Sequence, residues 1–370
     1  MHFKISFFPL LLATTGTGYL IPSPPGRYNV TITTGAIVDN NRDSRTFMLS
    51  VFQPATCTST VPVVYMPNRT AAYEGTLAKR NYNISYDLTP LFATARQPVC
   101  PKNYSPRDDA PVLLLSPGYR GSRLYYNFLA SAIASEGITV ITMDHPGETS
   151  CITYPNGTAV YVDLPNPTNI DDETPYAYVR AADASFIIDQ LSNATAMAKL
   201  VPRKVPTDRI VMAGHSIGGA SAMLAASQDS RIRGVINWDG PFFGSLPSSG
   251  LSQPLLYVGT RRSEPRFTAI WPKLNGPKLW VEIANLTHEG MTDLPTLFQA
   301  VKENNTEMLA QLLGTIAPEQ SVGILAAYAL EWMKYTFAGI MGEPLLEDHG
   351  CNQFPEVSIV RKGNFYEWTG

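Results

Sequence analysis

Ser216 is the residue of this chain best placed to act as a nucleophile. It lies in the run Ile210-Val211-Met212-Ala213-Gly214-His215-Ser216-Ile217-Gly218-Gly219-Ala220, where an apolar, strand-like segment leads in and a small-residue helical segment leads out. The order strand, G-x-S-x-G, helix is that of a nucleophile elbow. The turn is too tight for side chains at Gly214 and Gly218, and it lifts the hydroxyl clear of the sheet. It also aims the first amides of the following helix at the oxygen that becomes negative when a carbonyl is attacked. The chemistry expected is acyl transfer through a serine.

A serine of this kind needs an acid and a base, which follow it in that order along the chain. Of five histidines, His2 lies in the N-terminal leader, His145 precedes Ser216 and His215 is inside the elbow, which leaves His288 and His349. His288 follows the strand-like Lys278-Leu279-Trp280-Val281-Glu282-Ile283 and opens a polar loop, so it is the expected base. His349, in Glu347-Asp348-His349-Gly350, reads as a surface loop residue. For the acid, Gly234-Val235-Ile236-Asn237-Trp238-Asp239 is a strand that stops at a carboxylate, and Asp239 is the choice over Asp229 and Glu264. A carboxylate there orients the imidazole and stabilises its cation.

The second oxyanion donor comes from the loop after an earlier strand. Val112-Leu113-Leu114-Leu115-Ser116 followed by Pro117-Gly118-Tyr119-Arg120-Gly121 fits that place, so the backbone amides of Tyr119 and Ile217 are the expected pair. Trp238, Phe242, Phe243 and Tyr119 are the expected pocket walls. No Cys or His spacing suggests a metal, and no cofactor is implied.

Taken together, Ser116-Pro117-Gly118-Tyr119-Arg120-Gly121, Met143-Asp144-His145-Pro146-Gly147, Gly214-His215-Ser216-Ile217-Gly218-Gly219, Trp238-Asp239 and Thr287-His288 resemble secreted α/β-hydrolases of the platelet-activating-factor acetylhydrolase (group VII phospholipase A2) type. The likeness runs over roughly residues 27–345 and is strongest over 111–293. It implies Ser216 as nucleophile, Asp239 as acid, His288 as base, and an oxyanion hole at Tyr119 and Ile217. The Pro117-Gly118-Tyr119 form is also similar to bacterial cutinase-like polyester hydrolases, so the resemblance carries the reaction and not the substrate. The expectation is a secreted serine esterase acting on a small-molecule or lipid ester. A polyester or biosynthetic-pathway acyl hydrolase is the alternative within the same chemistry, and a binding protein on a dead hydrolase fold is the alternative outside it.

The elements that must position these residues read as an alternating α/β series. Strands are expected at 112–116, 138–143, 209–213, 234–238, 255–258 and 279–284, after an antiparallel hairpin at 28–34 and 45–53. The fold class is an α/β-hydrolase fold: a mostly parallel central sheet with helices on both faces. One catalytic domain over 19–370 carries insertions at about 54–110 and 149–170. Residues 321–341 read as an amphipathic packing helix, because Glu331 and Lys334 interrupt an otherwise apolar run.

A net charge of −3 over 370 residues, with signs interspersed, leaves no nucleic-acid footprint. No transmembrane segment is expected, and the oligomeric state stays open. Residues 1–18 read as a signal peptide, with Lys4 before a short apolar run. Sequons at Asn29, Asn68, Asn83, Asn103, Asn156, Asn193, Asn285 and Asn304 accord with export as a glycoprotein. The four cysteines are expected to pair as Cys57–Cys100 and Cys151–Cys351.

Overall fold

Strand-forming runs too apolar for a one-sided sheet set the architecture. Val112–Ser116 and Ile210–His215 are buried along their whole length, as parallel strands covered on both faces must be. The computed structural model describes residues 18–365 except 83, 85–86, 102–103, 105–108, 199, 202–204, 261–263, 301–305, 340–343 and 348–352. Residues 1–17 of the expected leader, His349, Cys351 and the sequons at Asn83, Asn103 and Asn304 lie outside the described residues.

Strands β1 (Asn29–Asp39) and β2 (Arg45–Ala55) form the antiparallel hairpin, each running further at its C-terminal end than expected. Six parallel strands follow: β3 (Val112–Ser116), β4 (Thr139–Met143), β5 (Ile210–His215), β6 (Ile232–Trp238), β7 (Leu255–Gly259) and β8 (Lys278–Ile283). An antiparallel edge strand, β9 (Val357–Gly363), pairs with β8. The order across the nine-stranded sheet is β1-β2-β4-β3-β5-β6-β7-β8-β9.

Side chains alternate between two cores, as the period of a strand requires. Leu113, Leu115, Val211 and Ala213 pack on one face with helices α2 (Asn127–Ser135) and α5 (Pro318–Ala338). Val112, Leu114, Ile210 and Met212 pack on the other with α3 (Thr174–Leu191) and α4 (Ile217–Gln228). In α5, Ile324, Tyr328, Glu331 and Trp332 are all buried, and Lys334 Nζ donates to Glu331 Oε1 at 2.6 Å. Pro318 opens this helix and Gly339, at φ 63°, ends it in the left-handed region. Among the described residues no helix is long and apolar enough to cross a membrane.

Two segments differ from the sequence reading. The insertion at 54–110 is not mainly loop: it holds a small antiparallel pair (Val61–Val64 with Arg96–Val99), helix α1 (Asn68–Tyr82) and a short helix at Thr89–Thr94. Helix α1 escaped notice because its buried face is Thr70, Ala71, Glu74, Gly75 and Ala78, a seam of small and polar residues rather than an apolar stripe. Strand β9 escaped because an edge strand is only partly covered, and Ser358, Val360, Arg361 and Lys362 are exposed, which breaks the apolar pattern.

Cys57 and Cys100 form the expected disulfide, with Cα atoms 5.9 Å apart. Cys351, the expected partner of Cys151, lies outside the described residues. Cys151 is a free, buried thiol. It lies in a short hairpin (Cys151–Thr153 with Ala159–Tyr161) covered by α1, with Sγ 3.7 Å from Thr70 Oγ1.

Candidate active site

β5 ends at His215 and α4 begins at Ile217, so Ser216 alone makes the turn. Its backbone is at φ 58°, ψ −128°, a conformation that costs an L-residue on the order of 1–2 kcal/mol. Packing holds it there. Ser216 N–H donates to Trp238 O at 2.9 Å, and Ser216 O accepts from Gly219 N–H at 2.9 Å. A Cβ on Gly214 would lie 2.1 Å from Gly218 C, and one on Gly218 would lie 2.2 Å from Ser116 O. The two glycines are therefore required by contact between backbones.

Asp239 follows β6 directly, at φ 52°, and its N–H donates to Val258 O at 2.8 Å. The side chain is fully buried. Its Oδ2 accepts from His288 Nδ1 at 2.7 Å and from Thr260 Oγ1 at 3.1 Å. With Nδ1 donating to a carboxylate, the neutral ring presents Nε2 as an acceptor. His288 stands five residues past β8, with 28 % of its side chain exposed. The loop that carries it turns at Asn285, φ 63°, whose carbonyl accepts from Thr315 and Ile316. The His215 ring lies 4.4 Å from the His288 ring, centroid to centroid.

Ser216, His288, His215 and Tyr119 line one cavity of about 300 Å³. Helix α1 contributes Glu74, Leu77, Ala78, Asn81 and Tyr82 to its lining, and the 149–170 insertion contributes Asn166. Tyr125 and Tyr126 form the opposite wall. Burial pushes the Glu74 carboxyl up to about 7, even though Ser150 and Tyr125 donate hydrogen bonds to it. Burial, and then the charge of Glu289 beside it, pushes the Tyr82 phenol well above its ordinary value.

Several expected residues fall elsewhere. Trp238, Phe242 and Phe243 do not line the cavity. They are buried on the two faces of the sheet, Trp238 in the core under α5 and both phenylalanines in the core under α3 and α4. Trp238 ends β6 and faces one core, whereas Phe242 and Phe243, in the loop after it, are buried in the other. Asp229 and Glu264 are engaged away from His288: Asp229 pairs with Arg231, and Glu264 caps the helix that follows it by accepting from Arg266 N–H at 3.0 Å.

His145 is buried in a second array of the same three residue types. Its Nε2 lies 2.9 Å from Ser116 Oγ and its Nδ1 2.9 Å from Asp183 Oδ2. Ser116 has no exposed surface, so this array meets no substrate. Asp144 accepts from the Arg123 amide at 2.8 Å and pairs with its guanidinium, which fixes the turn between β3 and α2.

Sequence reasoning missed Arg180, Glu148, Tyr126, Thr260 and Glu74. A signal existed for Arg180: it shares the buried face of α3 with Ala177, Ala181, Ala184 and Ile187, a charge on an apolar stripe. The others are joined to the site only by the fold.

The alpha/beta hydrolase family model matches residues 112–334. The model for platelet-activating factor acetylhydrolase, isoform II, matches residues 13–181. The chain is 27% identical over 381 residues to a probable 1-alkyl-2-acetylglycerophosphocholine esterase of Arthroderma benhamiae, covering 93% of this chain and 94% of that one. It is 25% identical to cutinase 2 of Thermobifida cellulosilytica over 194 residues, 50% of this chain and 63% of that one. Among solved structures, a ferulic acid esterase from Streptomyces cinnamoneus superposes with a TM-score of 0.77 at 26% identity, covering 93% of this chain and all (100%) of that one. The alpha/beta hydrolase match spans more than half of the chain, from β3 to within α5 and through the Ser216 elbow, and the chain belongs to the alpha/beta hydrolase family.

Proposed function

We propose that Ser216, His288 and Asp239 are the catalytic triad of a serine esterase, with the amides of Tyr119 and Ile217 as its oxyanion hole. The observation that carries this reading is the 2.7 Å hydrogen bond from His288 to the buried Asp239, at the mouth of a cavity that also holds the strained Ser216. The chain is a carboxylic ester hydrolase. His288 Nε2 takes the Ser216 proton as Oγ adds to the ester carbonyl, and the carbonyl oxygen becomes the oxyanion. The imidazolium then protonates the leaving alcohol as the C–O bond breaks, leaving an acyl-serine. Water, deprotonated by the same ring, releases the acid and restores the serine.

For substrate, a lipid or other small ester is favoured over a polymer. Helix α1 and Asn166 line the cavity beside the serine, and its volume of about 300 Å³ suits a small ester. A second reading, an ester with an aromatic acyl group, is supported by the four tyrosines at the cavity (Tyr82, Tyr119, Tyr125 and Tyr126). Export as a glycoprotein fits the leader-like N-terminus, the Cys57–Cys100 disulfide and the exposed sequon asparagines Asn68, Asn156, Asn193 and Asn285.

Ser216→Ala should abolish hydrolysis of p-nitrophenyl esters while the circular dichroism spectrum stays that of the wild type. Near-wild-type turnover in the folded variant rejects the serine mechanism. A panel of esters of rising chain length, run beside an oxidised phospholipid and a feruloyl ester, separates the substrate readings.

A further inference from the structure

We propose that Arg180 is a positioning residue that aims the Tyr119 amide at the oxyanion, and that Glu148 and the buried Ser116, His145 and Asp183 hold it in place. This rests on the esterase reading above and extends it to groups that touch no substrate.

Arg180 is fully buried, and its guanidinium is spent on the loop after β3. Nη1 donates to Ser116 Oγ at 3.1 Å and to Pro117 O, and Nη2 donates to Gly118 O at 2.9 Å. Nε donates to Glu148 Oε2 at 2.8 Å, and Nη2 also reaches Glu148 Oε1. The described chain has no cis peptide bond, and a trans peptide points its C=O and N–H in opposite directions. Gripping Pro117 O therefore turns the Gly118 N–H away from Arg180, and that N–H is met on the far side by Tyr126 Oη at 3.0 Å. Gripping Gly118 O turns the Tyr119 N–H away in the same manner. Arg120 N–H is taken by Glu148 Oε1 at 3.3 Å. Of the three amides at 118–120, only that of Tyr119 has no protein acceptor among the described residues, and Tyr119 borders the cavity with Ser216.

The rest of the array seats Arg180. Burial and the nearby Arg180 charge lower the His145 pKa, so the ring is neutral. It donates from Nδ1 to Asp183 and accepts the Ser116 proton at Nε2. That leaves a Ser116 lone pair facing Arg180. Asp183 is held in turn by Arg42 and Arg45, at 2.8 and 2.9 Å. Only a planar fork reaches two adjacent carbonyls, a hydroxyl and a carboxylate together, and a lysine ammonium does not.

The test uses Arg180→Lys, Arg180→Gln and Glu148→Gln in the full chain, each checked for a cooperative thermal transition. Two quantities are read: kcat and KM on a p-nitrophenyl ester, and the affinity of an arylboronic acid, whose tetrahedral serine adduct places an oxygen in the hole. Loss of one oxyanion donor predicts a fall in kcat of about 10²–10³-fold. KM should stay within about threefold, and boronate affinity should fall with kcat. A folded Arg180→Lys protein with wild-type kcat and boronate affinity, or a loss confined to KM, overturns the proposal. Should the Arg180 and Glu148 variants not fold, Tyr126→Phe removes the hydroxyl that meets the Gly118 amide and His215 Nδ1, and His215→Ala serves as the control for the second contact. The Tyr126 variant should lower kcat and boronate affinity together, and no change in either overturns the proposal. Failure of the esterase reading is seen separately, in the wild type, as failure of a fluorophosphonate to label Ser216.

Discussion

At the scale of single residues, two Ser-His-Asp sets occupy one molecule and differ in what surrounds them. Ser116, His145 and Asp183 are buried, with Arg180 bonded to the serine and two further arginines on the aspartate. Ser216 and His288 open onto a cavity, and only Asp239 is buried. Residue type alone does not separate the sets, whereas the backbone at Ser216 does. Asp239→Asn is expected to lower kcat by on the order of 10⁴-fold, because an amide leaves the ring in the wrong tautomer. Glu264→Gln should leave turnover unchanged, since that carboxylate caps a helix. Steady-state kinetics on the two variants decides the acid, and the reverse ranking would remove Asp239 from the role.

At the scale of elements, the residues legible in the sequence are those at strand ends. Ser216, Asp239 and His288 each follow an apolar run, and a run of that kind announces both the strand and the place where it stops. Helix α1 was not legible, yet it lines the cavity, because it is held by Gly75 against Thr89 and by Glu74 rather than by an apolar stripe. The pocket walls were misassigned for a related reason: aromatic residues near a strand end fill the cores beneath the helices, and the walls come from loops and an insertion.

Glu74 also gives α1 a dependence on pH. Its folded value, about 7, lies above its ordinary value of 4.5. The folded state therefore holds the proton more tightly, and the resulting stability is complete below about pH 4.5 and lost as pH rises to about 7. Urea denaturation of the wild type and Glu74→Gln across that window should show the wild type losing up to about 3 kcal/mol relative to the variant. Parallel curves would contradict the raised value. Asp293 and Glu173 are raised in the same direction, so a residual slope remains in the variant.

At the scale of the whole molecule, the order β1-β2-β4-β3-β5-β6-β7-β8-β9 brings the ends of β3, β5, β6 and β8 to one edge, where Tyr119, Ser216, Asp239 and His288 meet. Alternating strands and helices foretold that sheet. The Cys57–Cys100 bridge of the covalent framework was foretold as well. In denaturant, before reduction, Cys151 should react with a thiol reagent, while in the native protein it should not. Absence of any reactive thiol in the denatured, unreduced protein would show Cys151 bridged after all. Replacing Cys57 and Cys100 by serine, which opens a link spanning 43 residues, should cost about 2–4 kcal/mol by calorimetry.

The grip of Arg180 on Ser116, Pro117, Gly118 and Glu148 has a consequence for descent. Loss of Glu148 leaves the Arg180 charge buried without its carboxylate, and loss of Arg180 leaves Glu148 and two carbonyls without their donor, so single steps at either are selected against. The positions are expected to drift as a block. In a lineage where Arg180 is replaced, Glu148 should be replaced with it, and the loop after β3 should have found another way to turn.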